Sequence, residues 1–266
     1  MHDREAGLRF AAPNGKVLHH IVRPGDGRPV VFVNSLGTDL RIWQAVVAGL
    51  DPARPLLLWD KRGHGLSDEG AADMAGLAAD LAGLMDLYGY SSALVCGVSV
   101  GGMIAQRLAH DRPDLVSGLL LSNTGHRIGD AATWNARIEM VEREGIAAIS
   151  EPILERWLSP DYRVAHPEQL AGWRNMLTRT PAAGYAATCR AIRDADLTDA
   201  AKAIAVPTLC LAGERDGATP PALVRELAEL IPGAEYRCLE GVGHLPCIEA
   251  PEAVVEMLQY LLDRLG

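Results

Sequence analysis

The chain has 266 residues, 48% of them apolar and 22% charged, the balance of an ordinary globular domain long enough to bury about three quarters of its unfolded surface. A net charge of −9 and a pI near 5.4 exclude nucleic acid and anionic membranes as main partners, since both require a basic surface, and no segment is long and apolar enough to span a bilayer. The five cysteines (Cys96, Cys189, Cys210, Cys238 and Cys247) form no C-x-x-C pair, and the leading MHDREAGLRF lacks the apolar stretch of a signal peptide, so the expected setting is a reducing cytoplasm.

In chain order, a turn at Gly25-Asp26-Gly27 leads into PVVFV at 29–33, too short for a helix and rich in β-branched residues, hence a buried strand. A helix is expected over 41–50, then a strand at LLLW, 56–59. Leu77, Leu81, Leu84 and Tyr88 recur at helical spacing. A strand follows at 93–96, a helix at 103–109 that stops near Arg112-Pro113, and a strand at 119–121. From 125 to 202 the pattern is helical with no convincing strand, and three of the five tryptophans, Trp134, Trp157 and Trp173, lie there. The strand–helix rhythm returns with a strand at 206–211, a helix at 222–230, a strand at 236–239 and a helix at 254–265. The alternation predicts an α/β fold with a mainly parallel central sheet flanked by helices. Its core is expected over 1–124 and 203–266, with 125–202 as a helical cap, or lid, inserted above it.

The chemistry concentrates at VCGVSVGG, 95–102. Gly97-Val98-Ser99-Val100-Gly101 fits G-x-S-x-G between a strand and a helix, a sharp turn that lifts a serine Oγ above the sheet. The turn strains the serine backbone, and side chains two residues to either side would collide, so glycine is needed at both. A serine hydroxyl is inert near neutrality without a base. In this topology an acid follows a later strand and a histidine follows the last one, which points to Asp216 in GERD and His244 in GVGH. Glu214 is the rival acid, nearer the strand end. An oxyanion requires two donors, expected to be the backbone N–H groups of Val100 and of Leu36, the latter in the loop NSLGT, 34–38. His19-His20 has no neighbouring ligands that would make a metal site, His64 and Arg62 read as a tie between loops, and His126 reads equally as a site-lining or a surface residue.

With the stretches NSLGTDL (34–40), DKRGHG (60–65), SNT (122–124), WNARI (134–138) and RAIRDAD (190–196), these residues give the chain a resemblance to the α/β-hydrolase family with a helical cap, over essentially its whole length. Within that family it resembles the 3-oxoadipate enol-lactonases, the Asn34-Ser35 pair replacing the His-Gly of many other members. The resemblance implies hydrolysis of 3-oxoadipate enol-lactone to 3-oxoadipate in aromatic degradation, through the β-ketoadipate pathway, with no metal or organic cofactor. The small-molecule substrate is an anion, so an arginine should grip its carboxylate, with Arg137, Arg190 and Arg193 as candidates. Ser35, Trp134 and Trp157 are expected to contact the substrate. Val100, where methionine is commoner, is expected to alter pocket shape and leave the mechanism alone. Other esterase or lactonase activity, cofactor-free perhydrolysis, or a ligand receptor that retains the fold remain alternatives.

Overall fold

Short runs of leucine and β-branched residues become strands where both of their faces are covered. The structure, a computed structural model, describes residues 7–71 and 73–266. Among the described residues there are eight strands: β1 (Gly7–Ala11), β2 (Leu18–Arg23), β3 (Val30–Val33), β4 (Leu56–Trp59), β5 (Ala93–Val98), β6 (Val116–Ser122), β7 (Thr208–Gly213) and β8 (Glu235–Leu239). They form one sheet in the order β1-β2-β4-β3-β5-β6-β7-β8, antiparallel at β1/β2 and β2/β4 and parallel from there on. Every residue of β3, β4, β5 and β7 is buried, as expected for parallel strands between two helical layers.

The helices that matter below are α1 (Gln44–Gly49), α2 (Met74–Tyr88), α3 (Val100–Asp111), α4 (Ala131–Glu144), α5 (Ser150–Trp157), α6 (Pro160–Ala165), α7 (Pro167–Thr178), α8 (Ala182–Arg193), α9 (Thr198–Ala203), α10 (Pro221–Leu230), α11 (Pro246–Glu249) and α12 (Pro251–Leu265). The expected helix over 41–50 is a 3-10 turn, Leu40–Trp43, running into α1. The α2 helix shows why local sequence suffices for some elements. Asp73 caps it by accepting from the Gly76 amide at 2.8 Å, Gly89 ends it with φ 66°, and Leu77, Leu81 and Leu84 point into the core. The α3 helix starts at Val100, three residues before the apolar pattern suggests.

Between β6 and β7 the described residues hold helices and no strand. The α4 and α8 helices pack together, as do α5 and α7, while α9 lies against α3 and α10.

The β1–β2 hairpin was not anticipated from the sequence. Its residues His19 and His20 are polar yet buried. His19 Nδ1 is 2.6 Å from Asp60 Oδ2, and His20 Nε2 is 2.6 Å from the Tyr88 hydroxyl, so partners from β4 and α2 make the burial tolerable. Burial lowers the His20 pKa, which keeps the ring neutral.

The loop after β4 is anchored to α2 by Arg62, whose Nε and Nη2 both donate to the buried Asp80 carboxylate, the second at 2.6 Å. Asp80→Ala would leave that guanidinium without its counter-charge. The expected loss is about 3 kcal/mol, at the low end for a broken buried pair because Arg62 still touches water. Urea unfolding followed by circular dichroism measures it, and a change under about 0.5 kcal/mol would show the pair to be energetically idle.

Candidate active site

The ends of β5, β6, β7 and β8 converge on one side of the sheet, and the polar residues of interest sit just past them. Ser99 follows β5 with φ 59° and ψ −123°, a conformation that L-residues rarely adopt. Glycine is required around it. A Cβ at position 97 would run into the Gly101 carbonyl, and one at position 101 into the Val33 carbonyl. The Ser99 amide donates to Ser122 O at 3.0 Å and its carbonyl accepts from Thr124 Oγ1 at 2.6 Å, so the turn is fastened to the end of β6. Val100 is the first residue of α3, and its amide is among those a helix leaves without an internal acceptor. The Val100 side chain is wholly buried in the core and is not among the residues that line the cavity.

His244 follows β8. Its Nδ1 lies 2.8 Å from Asp216 Oδ2, in the turn after β7, and its backbone amide donates to Trp157 O at 2.8 Å. That leaves Nε2 as the nitrogen not engaged by Asp216. Asp216 is buried and surrounded by donors: the amides of Ala218 and Thr219 reach Oδ1 at 2.7 and 2.9 Å, and Asn123 Nδ2 reaches Oδ2 at 2.8 Å. Thr219 Oγ1 lies 2.7 Å from both Asp216 Oδ2 and Asn123 O. Burial would raise this carboxyl's pKa, but attraction to the His244 ring and these hydrogen bonds outweigh it, so the net shift is downward. Glu214, the rival acid, is exposed, accepts from the Gly241 amide at 3.1 Å, and makes no contact with His244.

A cavity of about 260 Å³ opens above these strand ends, and Ser99 and His244 share its wall with Ser35 and Leu36. Helical residues close the other side: Trp134, Arg137 and Trp157. The Arg137 guanidinium stacks on Trp134 at 4.8 Å from the ring centre. Arg190 and Arg193 lie outside the cavity, Arg190 paired with Glu142 and Arg193 with Asp194 at 2.7 Å. His126 is buried, 3.8 Å from Glu226, and is likewise not in the wall.

Several participants escaped the sequence reading. Arg156, at the end of α5, brings a second guanidinium to the cavity. Asn123, with φ 48°, binds Asp216 and also donates to Gly243 O at 3.2 Å. Glu249 accepts from the Ser159 amide at 3.1 Å and the Gly243 amide at 3.0 Å, which ties α5 to the loop that carries His244. Each of these is a polar residue beside a strand or helix end, where polar residues are common, so nothing local distinguishes them. Among the described residues no cluster of histidine, cysteine or carboxylates is arranged to hold a metal ion, and no helix is long and apolar enough to cross a membrane.

The sequence profile of the alpha/beta hydrolase family matches residues 30–257. The chain belongs to this family. Among related hydrolases, it is 31% identical to 3-oxoadipate enol-lactonase 2 of Acinetobacter baylyi over 241 residues, 90% of each chain. The crystal structure of the enol-lactonase from Burkholderia xenovorans superposes with a TM-score of 0.92 at 36% identity, covering 96% of this chain and all of that one. A thermophilic esterase from Thermogutta terrifontis superposes with a TM-score of 0.88 at 29% identity, covering 98% and 99%. As an alpha/beta hydrolase, the chain shares its fold with proteins named as an enol-lactonase and as an esterase.

The lowered Asp216 pKa carries a stability term. It is present above the unfolded carboxylate value of about 4 and is lost as pH falls through the folded value. Asp216→Asn should therefore lose less stability between pH 6 and pH 3 than the wild-type chain does. Urea titrations at the two pH values compare them, and equal losses would contradict a depressed pKa.

Proposed function

We propose that this alpha/beta hydrolase opens 3-oxoadipate enol-lactone to 3-oxoadipate, in the β-ketoadipate route of aromatic breakdown in the cytoplasm. The observation that carries the reading is one cavity lined both by a strained serine and by an imidazole bonded to a buried, donor-rich carboxylate. In the proposed mechanism His244, oriented by Asp216, takes the Ser99 proton as Oγ attacks the lactone carbonyl. The amides of Leu36 and Val100 receive the oxyanion. Collapse breaks the ring C–O bond and expels an enolate, which takes a proton and tautomerises to the ketone. Water deprotonated by His244 then cleaves the acyl-serine ester and releases the acid. Each proton is accounted for by the imidazole, and no step requires a metal or organic cofactor.

The substrate assignment is supported by the enol-lactonase names of the relatives above and by the charges around the cavity. Arg137 and Arg156 reach it from α4 and α5, in a protein whose overall charge of −9 would otherwise repel an anion. We assign the substrate carboxylate to Arg137, with Arg156 at the rim. Ser35 Oγ is buried and without a hydrogen-bond partner among the described residues, which suits a contact made only when ligand is bound. Residues 125–202 act as the cap that supplies the tryptophan and arginine wall, over a core of 1–124 and 203–266.

A spectrophotometric assay with enol-lactone generated in situ tests the reading, run beside p-nitrophenyl acetate. Ser99→Ala should reduce kcat by about 10⁴-fold or more on both. Arg137→Leu should raise KM for the lactone by roughly tenfold to a hundredfold, the worth of a charge-assisted hydrogen bond, and leave the uncharged ester unaffected. Cleavage of the simple ester alone by the wild-type protein would remove the lactone assignment and keep the hydrolase one.

A further inference from the structure

Lys61 is wholly enclosed, the rarest fate for a lysine, and the proposed mechanism gives it no role. It stands just after β4, and its Nζ donates to Ser35 O at 2.5 Å and to Thr38 O at 3.3 Å. These carbonyls bracket the loop that holds Leu36. The Ser35 carbonyl and the Leu36 N–H belong to one peptide unit, so they point in opposite directions from a rigid plane. Thr38 also donates to Ser35 O, from Oγ1 at 3.0 Å and from its amide at 3.4 Å, so that oxygen has three donors, of which Lys61 is the charged one. One side of the peptide is thus held inside the protein, which directs the other toward the cavity that Ser35 and Leu36 line.

We propose that Lys61 is a positioning residue for the hydrolytic reaction: its ammonium orients the Ser35–Leu36 peptide and polarises it, so that the Leu36 N–H is a stronger donor to the developing oxyanion. The inference rests on the reading of Leu36 as an oxyanion donor. Hydrogen bonds in series strengthen one another where water is excluded, and a charged donor at one end of an amide makes the N–H at the other end more acidic. The neighbouring bonds leave this task to Lys61. Asn34 is held by Trp59 O and Trp43 Nε1, and the Gly37 amide donates to His64 Nε2 at 2.9 Å. Those contacts fix the loop, but none places a charge on the Leu36 peptide.

The charges facing Lys61 are few. Asp60 and Asp39 favour its cation, and each is already engaged, Asp60 with His19 and the Leu40 amide, Asp39 with Arg41. His64 is held neutral by burial and by Lys61 itself, in keeping with its acceptor role toward Gly37. Burial brings the Lys61 pKa down to about 7 against the pull of the two carboxylates. The cation, and with it the polarisation, is present below that value and fades above it.

The test is kcat against pH for wild type, Lys61→Met and Ser99→Ala, on enol-lactone and on p-nitrophenyl acetate, with thermal melts of each. Methionine fills a similar volume without a charge, so the fold is expected to survive. Lys61→Met should lower kcat by roughly tenfold to a hundredfold, less than the loss of a whole oxyanion donor, with KM within about threefold. The wild-type profile should decline above about pH 7, and that decline should be absent in Lys61→Met. An unchanged kcat in a folded Lys61→Met, or a wild-type kcat that stays level from pH 7 to 9, overturns the inference. The second result requires no variant to fold. Persistent activity in Ser99→Ala would instead remove the serine mechanism itself, and the role of Lys61 with it.

Discussion

The backbone of Ser99 stands in a region that costs on the order of 1–3 kcal/mol for a residue with a side chain, and the rest of the site is built around keeping it there. The strain is affordable because the surroundings over-determine it. The β5 strand enters fully buried, α3 departs at once, and Ser122 and Thr124 at the end of β6 bond the N–H and the C=O of Ser99. Gly97 and Gly101 allow this close crossing, since either Cβ would strike a carbonyl. A serine on a relaxed loop would be free to turn its hydroxyl away from the cavity.

The second layer of the site is a set of buried polar groups that satisfy one another across the ends of β6, β7 and β8. Asn123 after β6 reaches Asp216 after β7 and the Gly243 carbonyl before His244, while its own Oδ1 accepts from Ser122 Oγ at 2.8 Å. Thr219 bridges the same groups. A carboxylate in such a place would be costly if left bare, and the donors of Asn123, Ala218, Thr219 and His244 make it an anion held below its usual pKa. The same logic holds the 34–38 loop beside the cavity, through Asn34, Lys61 and His64. The sites of reaction proposed here are therefore rigid for the same reason that they are charged: each polar atom is fixed by the partner that makes its burial tolerable.

The helical segment above the sheet is fastened at the point where it matters most. The Trp157 carbonyl at the end of α5 accepts from the His244 amide, and Glu249 joins Ser159 to Gly243. Movement of α5 would be felt by the imidazole loop as well as by the cavity wall. This joins the residues that we assign to substrate recognition, Arg137, Arg156 and Trp157, to those assigned to chemistry, although α4 and α5 are remote from β8 in the chain.

The amino-acid sequence by itself determined the parallel strands, the helices between them and the serine turn, because each is encoded locally: apolar runs of four to six residues, helical spacing in 77–88, and glycines two residues to either side of Ser99. Chain order then pointed to Asp216 and His244, since the topology dictates which strand ends meet. What only the tertiary structure decided is partnership. It paired His19 and His20 with Asp60 and Tyr88, which made a strand of a stretch too polar to read as one, and it separated Arg137 from Arg190 and Arg193, which carry the same charge on neighbouring helices. It also enclosed Lys61 beneath the loop of Leu36. A polar side chain has the same local signature whether it meets water or a buried carbonyl, and the free energy that separates the two outcomes comes from atoms distant in the chain.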